Sequence, residues 1–152
     1  MIKLLDHQDQ SIALQIFQVF QLSYPVEAAL LGHPDFPPLK RSAKDIMNSP
    51  TLFYGFWIKD VLVAAMEIKS TKSCTHIQSL TVIPEYFRQG IGYKLLTFAV
   101  RSHPAELITV ETGLGNTPAI QFYENFGFIK QKTFMTDVGI EKIALAMNTK
   151  KL

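Results

Sequence analysis

Residues Ser79–Arg101 read SLTVIPEYFRQGIGYKLLTFAVR, and this stretch decides the fold. Leu80, Val82 and Ile83 form an apolar run that predicts a buried strand ending at Pro84. Past a turn at Arg88-Gln89-Gly90-Ile91-Gly92, the residues Ile91, Leu95, Leu96, Phe98 and Ala99 recur at helical spacing. The pattern is strand, glycine-rich turn, helix. Such a turn can aim several backbone N–H groups and a helix N-terminus at one point, which makes an anion site. At Gly90 and Gly92 a Cβ would hold a phosphate away from the backbone. The same glycines also suit a plain strand-to-helix connection. A P-loop is excluded, because Tyr93 and Lys94 follow Gly92 where Lys-Ser/Thr is required; the dinucleotide fingerprint fails because Leu95 stands at its third glycine.

Working outward, Ile2–Leu5 predicts a short first strand, and Asp6 or Asp9 caps a helix from Gln10 to Ser23. Its buried side carries Ile12, Ile16, Phe17, Val19 and Phe20. Pro25 interrupts the pattern, and helix resumes over Val26–Leu31 until Gly32. His33–Leu39 is a stiff, proline-rich loop with an exposed or half-buried Phe36, and Ser42-Ala43-Lys44-Asp45 reads as a capped helix start. Thr51–Lys59 and Val61–Lys69 are two strands joined at Asp60 in an antiparallel hairpin. Thr75–Ile83 is the central strand, and Leu107–Thr112 is another. A helix with Pro118 at its start and Asn116 or Thr117 as cap runs to Asn125, and a hairpin of Phe128–Met135 with Ile140–Met147 closes the chain. The order β-α-α-β-β-β-α-β-α-β-β predicts a mixed α/β sheet with crossover helices.

The composition narrows the function. The 152 residues fit one domain, and 47% apolar against 18% charged residues is a composition that folds. A net charge of +2 with dispersed basic residues gives no nucleic-acid stripe, and Lys150–Lys151 reads as a solvated tail. The single Cys74, in a predicted loop over Ser70–Thr75, excludes an intrachain disulfide and offers no metal cluster. Without a signal-type segment or a long apolar run, the expectation is a cytoplasmic protein that does not enter the membrane. Eleven Phe, five Tyr and one Trp exceed what a core alone needs, so a ligand pocket or a homodimer interface is expected to use some of them.

The run V-x-P-x-x-x-R-Q-G-I-G, Val82–Gly92, resembles the acyl-CoA pyrophosphate loop of the GNAT superfamily of N-acetyltransferases. Asn116–Phe128, NTPAIQFYENFGF, resembles the second cofactor motif of that family at Asn116, Ala119, Phe122, Tyr123, Gly127 and Phe128. The likeness is strong over Thr75–Phe128 and weaker over the first 50 residues. It implies a GNAT fold in one domain over residues 1–152, with about seven strands, a splayed fourth/fifth pair and about four flanking helices. It also implies acetyl-CoA as donor, an amine as acceptor and no metal. One residue departs from the pattern: Phe87 stands where the family usually carries Gln or Arg, with Arg88 and Gln89 beside it.

Acyl transfer needs a held donor, a deprotonated amine, a stabilised oxyanion and a proton for the leaving thiolate. The resemblance assigns the pyrophosphate to the N–H groups of Arg88, Gln89, Gly90, Ile91, Gly92 and Tyr93. It assigns the pantetheine arm to the main chain of Leu80, Thr81 and Val82, with Asn116 and Ala119. Tyr123 is the implied general acid. Period-two alternation puts His76, Gln78, Leu80 and Val82 on one strand face, which makes His76 a candidate base, with Glu67 and Glu111 as rivals. Tyr24, Glu27, Phe36, Tyr54 and Trp57 are candidates for the acceptor pocket, and Glu27 or Asp35 could receive a cationic amine. The aromatic content favours a small, partly apolar acceptor, and a peptide N-terminus or lysine also fits. A non-catalytic acyl-CoA-binding module would keep the Arg88–Gly92 loop but need neither Tyr123 nor a base.

Overall fold

A computed structural model describes residues 1–151. The strands β1 (Ile2–Leu4), β2 (Leu52–Ile58), β3 (Val61–Ser70), β4 (Cys74–Val82), β5 (Leu107–Gly113), β6 (Ile129–Met135) and β7 (Glu141–Asn148) form one sheet in the order β1-β2-β3-β4-β5-β7-β6. Four helices accompany them: α1 (Gln10–Leu31), α2 (Ala43–Met47), α3 (Ile91–Ser102) and α4 (Thr117–Phe126). This is the predicted element order. Every neighbouring pair is antiparallel except β4–β5, which is parallel and joined through α3. Lys150 is exposed and pairs with Glu106 at 3.5 Å, while the side chain of Lys151 lies outside the described residues.

Local chemistry accounts for the element ends. Asp9 Oδ1 accepts from the Ser11 N–H at 3.0 Å, and Gly32 in the left-handed region closes α1. Ser42 and Asp45 form a reciprocal capping box on α2. Lys59 and Asp60 both have positive φ (50° and 44°), the geometry that lets a two-residue turn follow the twist of its strands.

Three expectations are corrected. Helix α1 runs unbroken through Pro25. A proline costs a helix one hydrogen bond. Phe20 and Ser23 before it and Ala28 after it are all buried, so packing carries the helix through. Phe36 is only 4% exposed, because its ring packs edge-on against Tyr24 at 5.8 Å and joins Ala28 and Ile140 in a small cluster. Cys74 opens β4 instead of lying in a loop, half-buried with Sγ 3.7 Å from Thr109 Oγ1.

The core lies on both sides of β3 and β4. Ile16, Val19 and Phe20 of α1 and Leu95, Leu96 and Ala99 of α3 are all buried in it. One charge is buried with them. Glu67 on β3 is 0% exposed and forms a fork with Arg41 (Nη1–Oε1 2.6 Å, Nη2–Oε2 3.0 Å). Its Oε2 also accepts from Thr51 Oγ1 at 2.6 Å and Ser49 Oγ at 3.1 Å. Burial alone would push this carboxyl up, but the hydrogen bonds from Arg41, Thr51 and Ser49 outweigh it and hold it below the usual carboxylate range.

Removing one partner of such a pair strands a buried charge. Arg41→Met is expected to cost about 3–5 kcal/mol in urea denaturation, and Arg41→Met/Glu67→Leu to recover much of it. A double variant no more stable than the single one would refute this. Because the folded-state pKa of Glu67 is depressed, its contribution is full above the unfolded value of about 4.3 and fades as pH falls through the folded one.

Candidate active site

The parallel ladder between β4 and β5 is short. It pairs Cys74–Ile77 with Leu107–Val110 and then stops, although β4 continues to Val82 and β5 to Gly113. The strands part at a β-bulge. Ser79 pairs with Glu67 and Ile77 with Ile68, so Gln78 is an extra residue on β4. Burial nonetheless alternates through the bulge: Thr75, Ile77, Ser79 and Thr81 are buried, and His76, Gln78, Leu80 and Val82 form the less buried set. Beyond the bulge, the edge of β4 that faces away from β3 has no strand partner. A cleft of about 720 Å³ opens there, walled by Ile77–Val82 on one side and Val110–Gly113 on the other.

At one end of the cleft is the Arg88–Gly92 turn. Arg88 and Gly90 have positive φ (62° and 78°), and Gly90 is the N-cap of α3 without any side-chain hydrogen bond. The first N–H groups of α3 are thus free of a side-chain cap, at the positive end of a 12-residue helix. Arg88, Gly90, Ile91, Gly92 and Tyr93 line the cleft with Phe87, which is 43% exposed. Gln89 does not line it.

The middle of the cleft is built by α4 and the last turns of α1. Asn116 Oδ1 caps α4 by accepting from the Ala119 N–H at 3.3 Å, and its Nδ2 donates to Glu27 Oε2 at 2.8 Å. Thr112 Oγ1 donates to the same oxygen at 2.9 Å. These contacts require the turn after β5 to press on α1: a Cβ on Gly113 would lie 2.4 Å from Leu31 Cδ2. Tyr123 is 6% exposed and packs edge-on against Phe122 (5.2 Å) and Phe128 (5.5 Å). Burial, with the nearby Glu27 carboxylate, pushes its hydroxyl well above the usual phenol range, so it stays protonated at neutral pH. Tyr24 is shifted the same way by burial and then by Glu27 and Glu67.

The structure brings together Leu80, Thr81, Val82, Asn116, Ala119, Tyr123, Tyr24, Glu27, Phe36 and Glu111. Besides Gln89, it leaves out Asp35 and four other candidates. His76 does not line the cleft; its Nδ1 lies 2.7 Å from Thr109 Oγ1. Burial lowers the pKa of His76, with Glu111 opposing and Lys142 and Lys69 adding to the shift. Glu67 is committed to Arg41 and touches only a side cavity of about 150 Å³. Tyr54 and Trp57 sit on β2, which is separated from β4 by the whole of β3. Tyr54 meets His103 Nε2 at 2.7 Å, and neither residue lines the cleft.

The cleft also uses residues the sequence did not single out, among them Ser79, Thr112, Lys142, Val26 and Leu30. Thr112 had a signal, since it continues the buried phase of Ile108 and Val110 along β5. Val26 and Leu30 had one too, as an apolar pair one turn apart. Lys142 had none.

Residues 14–128 match a family model described as the acetyltransferase (GNAT) family. The chain is 33% identical over 141 residues to the UPF0157 protein YqkA of Bacillus subtilis (strain 168), a match covering 92% of this chain and 41% of that protein. It therefore spans about two fifths of that relative's length. Among solved structures, the PaiA N-acetyltransferase from Thermoplasma acidophilum in complex with coenzyme A superposes with a TM-score of 0.77 at 19% identity, over 97% of this chain and 98% of that one. The ribosomal-protein-S18-alanine N-acetyltransferase from Escherichia coli gives 0.75 at 19% identity, over 97% and 92%.

The two loop glycines respond oppositely to substitution. Gly90→Ala forces a side chain into the left-handed region and is expected to cost about 1–2 kcal/mol. Gly92→Ala lies inside α3 with Phe122 Cζ at 3.4 Å, an ordinary contact, and is expected to stabilise by about 0.4–1 kcal/mol. Thermal denaturation of the two variants checks the loop geometry, and equal signs would contradict it.

Proposed function

The chain belongs to the acetyltransferase (GNAT) family, and on that premise we propose that it transfers an acetyl group from acetyl-CoA to a primary amine by direct attack in a ternary complex. The observation that carries the reading is the gap between β4 and β5, which opens onto the uncapped start of α3. An extended arm bearing amides can pair with the free edge of β4, where otherwise unsatisfied N–H and C=O groups lie. A pyrophosphate at the far end of that arm would meet the N–H groups of Gly90–Tyr93.

In this reading the thioester carbonyl lies against the main chain of Leu80–Val82, where an N–H polarises it. The amine lone pair forms the C–N bond, the C–S bond breaks with its electron pair on sulfur, and the Tyr123 hydroxyl protonates that sulfur. Tyr123 suits the role because it is a protonated phenol in the cleft wall. The acceptor is a small molecule with a partly apolar body, as the walls of Val26, Leu30 and Phe36 favour. The activity named for the Escherichia coli neighbour makes a peptide N-terminus the second reading. A non-catalytic acyl-CoA-binding module is the reading to exclude, by showing that added amine accelerates CoA release.

Saturating acetyl-CoA and CoA are expected to raise the melting temperature while ATP does not; about 2.7 kcal/mol of stabilisation is gained at a hundredfold excess over Kd. No shift with acetyl-CoA would remove the donor site. Tyr123→Phe is expected to lower turnover at saturating acceptor by roughly 100-fold while leaving the CoA shift in place. Unchanged turnover would end its role as the acid.

A further inference from the structure

Glu27 is one of two carboxylates that line the cleft. Its two oxygens differ. Oε2 accepts from Thr112 and Asn116, whereas Oε1 accepts no hydrogen bond from any described residue. An ionised carboxylate offers about four acceptor positions, so half the capacity of this one is open. Both donors are neutral, and no Lys, Arg or His among the described residues forms an ion pair with Glu27. A half-buried anion held by neutral groups has a place for a cation. A second observation points to a ligand in the same space. Ser23 Oγ is buried without a hydrogen-bond partner among the described residues, and Ser23 lines the cleft. Buried polar groups are rarely left so.

We propose that Glu27 receives the ammonium of the acceptor and takes its proton, and that Thr112 and Asn116 are positioning residues that fix Oε2 and leave Oε1 for the nitrogen. The proposal rests on the acetyltransferase reading and names the acceptor class within it: a primary alkylammonium on an apolar or aromatic body packed against Val26, Leu30 and Phe36. The protons balance. The ammonium gives one to Glu27 before attack. The nitrogen gives a second after the C–N bond forms, and this restores Tyr123, whose own proton has gone to the departing sulfur. Glu27 then releases its proton to solvent.

Glu111 is the other carboxylate of the cleft wall. Adjacent residues of a strand point to opposite faces, so Glu111 points away from the face where Thr112 meets Glu27, and its field falls on His76. It is also exposed, whereas Glu27 stands close enough to Tyr24 and Tyr123 to act on both hydroxyls.

The test compares amines that arrive charged with one that arrives neutral. Wild type, Glu27→Gln and Thr112→Val are assayed for CoA release from acetyl-CoA with phenethylamine, phenylalaninamide and phenylhydrazine, and for the melting shift with acetyl-CoA. Gln keeps the shape and both accepted hydrogen bonds, so the fold is expected to survive and the acetyl-CoA shift to persist. Glu27→Gln is expected to lose roughly 100-fold with phenethylamine and far less with phenylhydrazine, which needs no deprotonation before attack. Thr112→Val is expected to show the same selectivity with a smaller loss. Equal losses on charged and neutral amines, or no loss, overturn the role of Glu27. A wild type that binds acetyl-CoA but acetylates none of the three overturns the acceptor class. A wild type that does not bind acetyl-CoA overturns the underlying reading.

Discussion

The molecule depends on the early end of one ladder. Four residue pairs hold β4 to β5, and past Ile77 and Val110 each strand continues without the other. A strand edge inside a sheet carries unsatisfied N–H and C=O groups, which the fold elsewhere avoids by pairing every strand with its neighbours. The bulge at Gln78 marks the place of parting and turns the following residues, Ser79 to Val82, into a wall of the cleft. Loop, helix dipole and Tyr123 then gather around this opening from α3 and α4.

The buried pair behind the wall serves the same arrangement. Arg41 belongs to the segment between α1 and α2, and Glu67 pairs with Ser79 across the bulge. Their fork, with Ser49 and Thr51, ties the linker to the sheet beside the cleft. Guanidinium stacking on Phe53 at 5.6 Å and Phe20 at 6.0 Å extends the tie into the core. Such a pair contributes less net stability than its geometry suggests, yet removing one partner strands a buried charge.

The sequence was most legible where chemistry and backbone are local. The strand, turn and helix of Ser79–Arg101 and the capped helix at Asn116 can be read because glycine, proline and apolar spacing each act within a few residues. What escaped depends on distant partners. Glu67 reads as a rival base until Arg41, 26 residues away, is seen to neutralise it. Tyr54 and Trp57 look like pocket aromatics until the strand order puts β3 between them and the cleft. The bulge at Gln78 escaped as well, because the burial of β4 alternates straight through it.

The four-pair ladder has a mechanical consequence. The sheet consists of an antiparallel group of β1 to β4 and a second antiparallel group of β5, β7 and β6, and among the described residues β4–β5 is their only strand seam. On the face that carries α1, Thr112 and Asn116 fasten the second group to that helix through a single carboxylate oxygen. The two halves are thus leaves on a short spine. An occupant lying along β4 and reaching across to α4 would bridge them, acting as a clasp as well as a reactant.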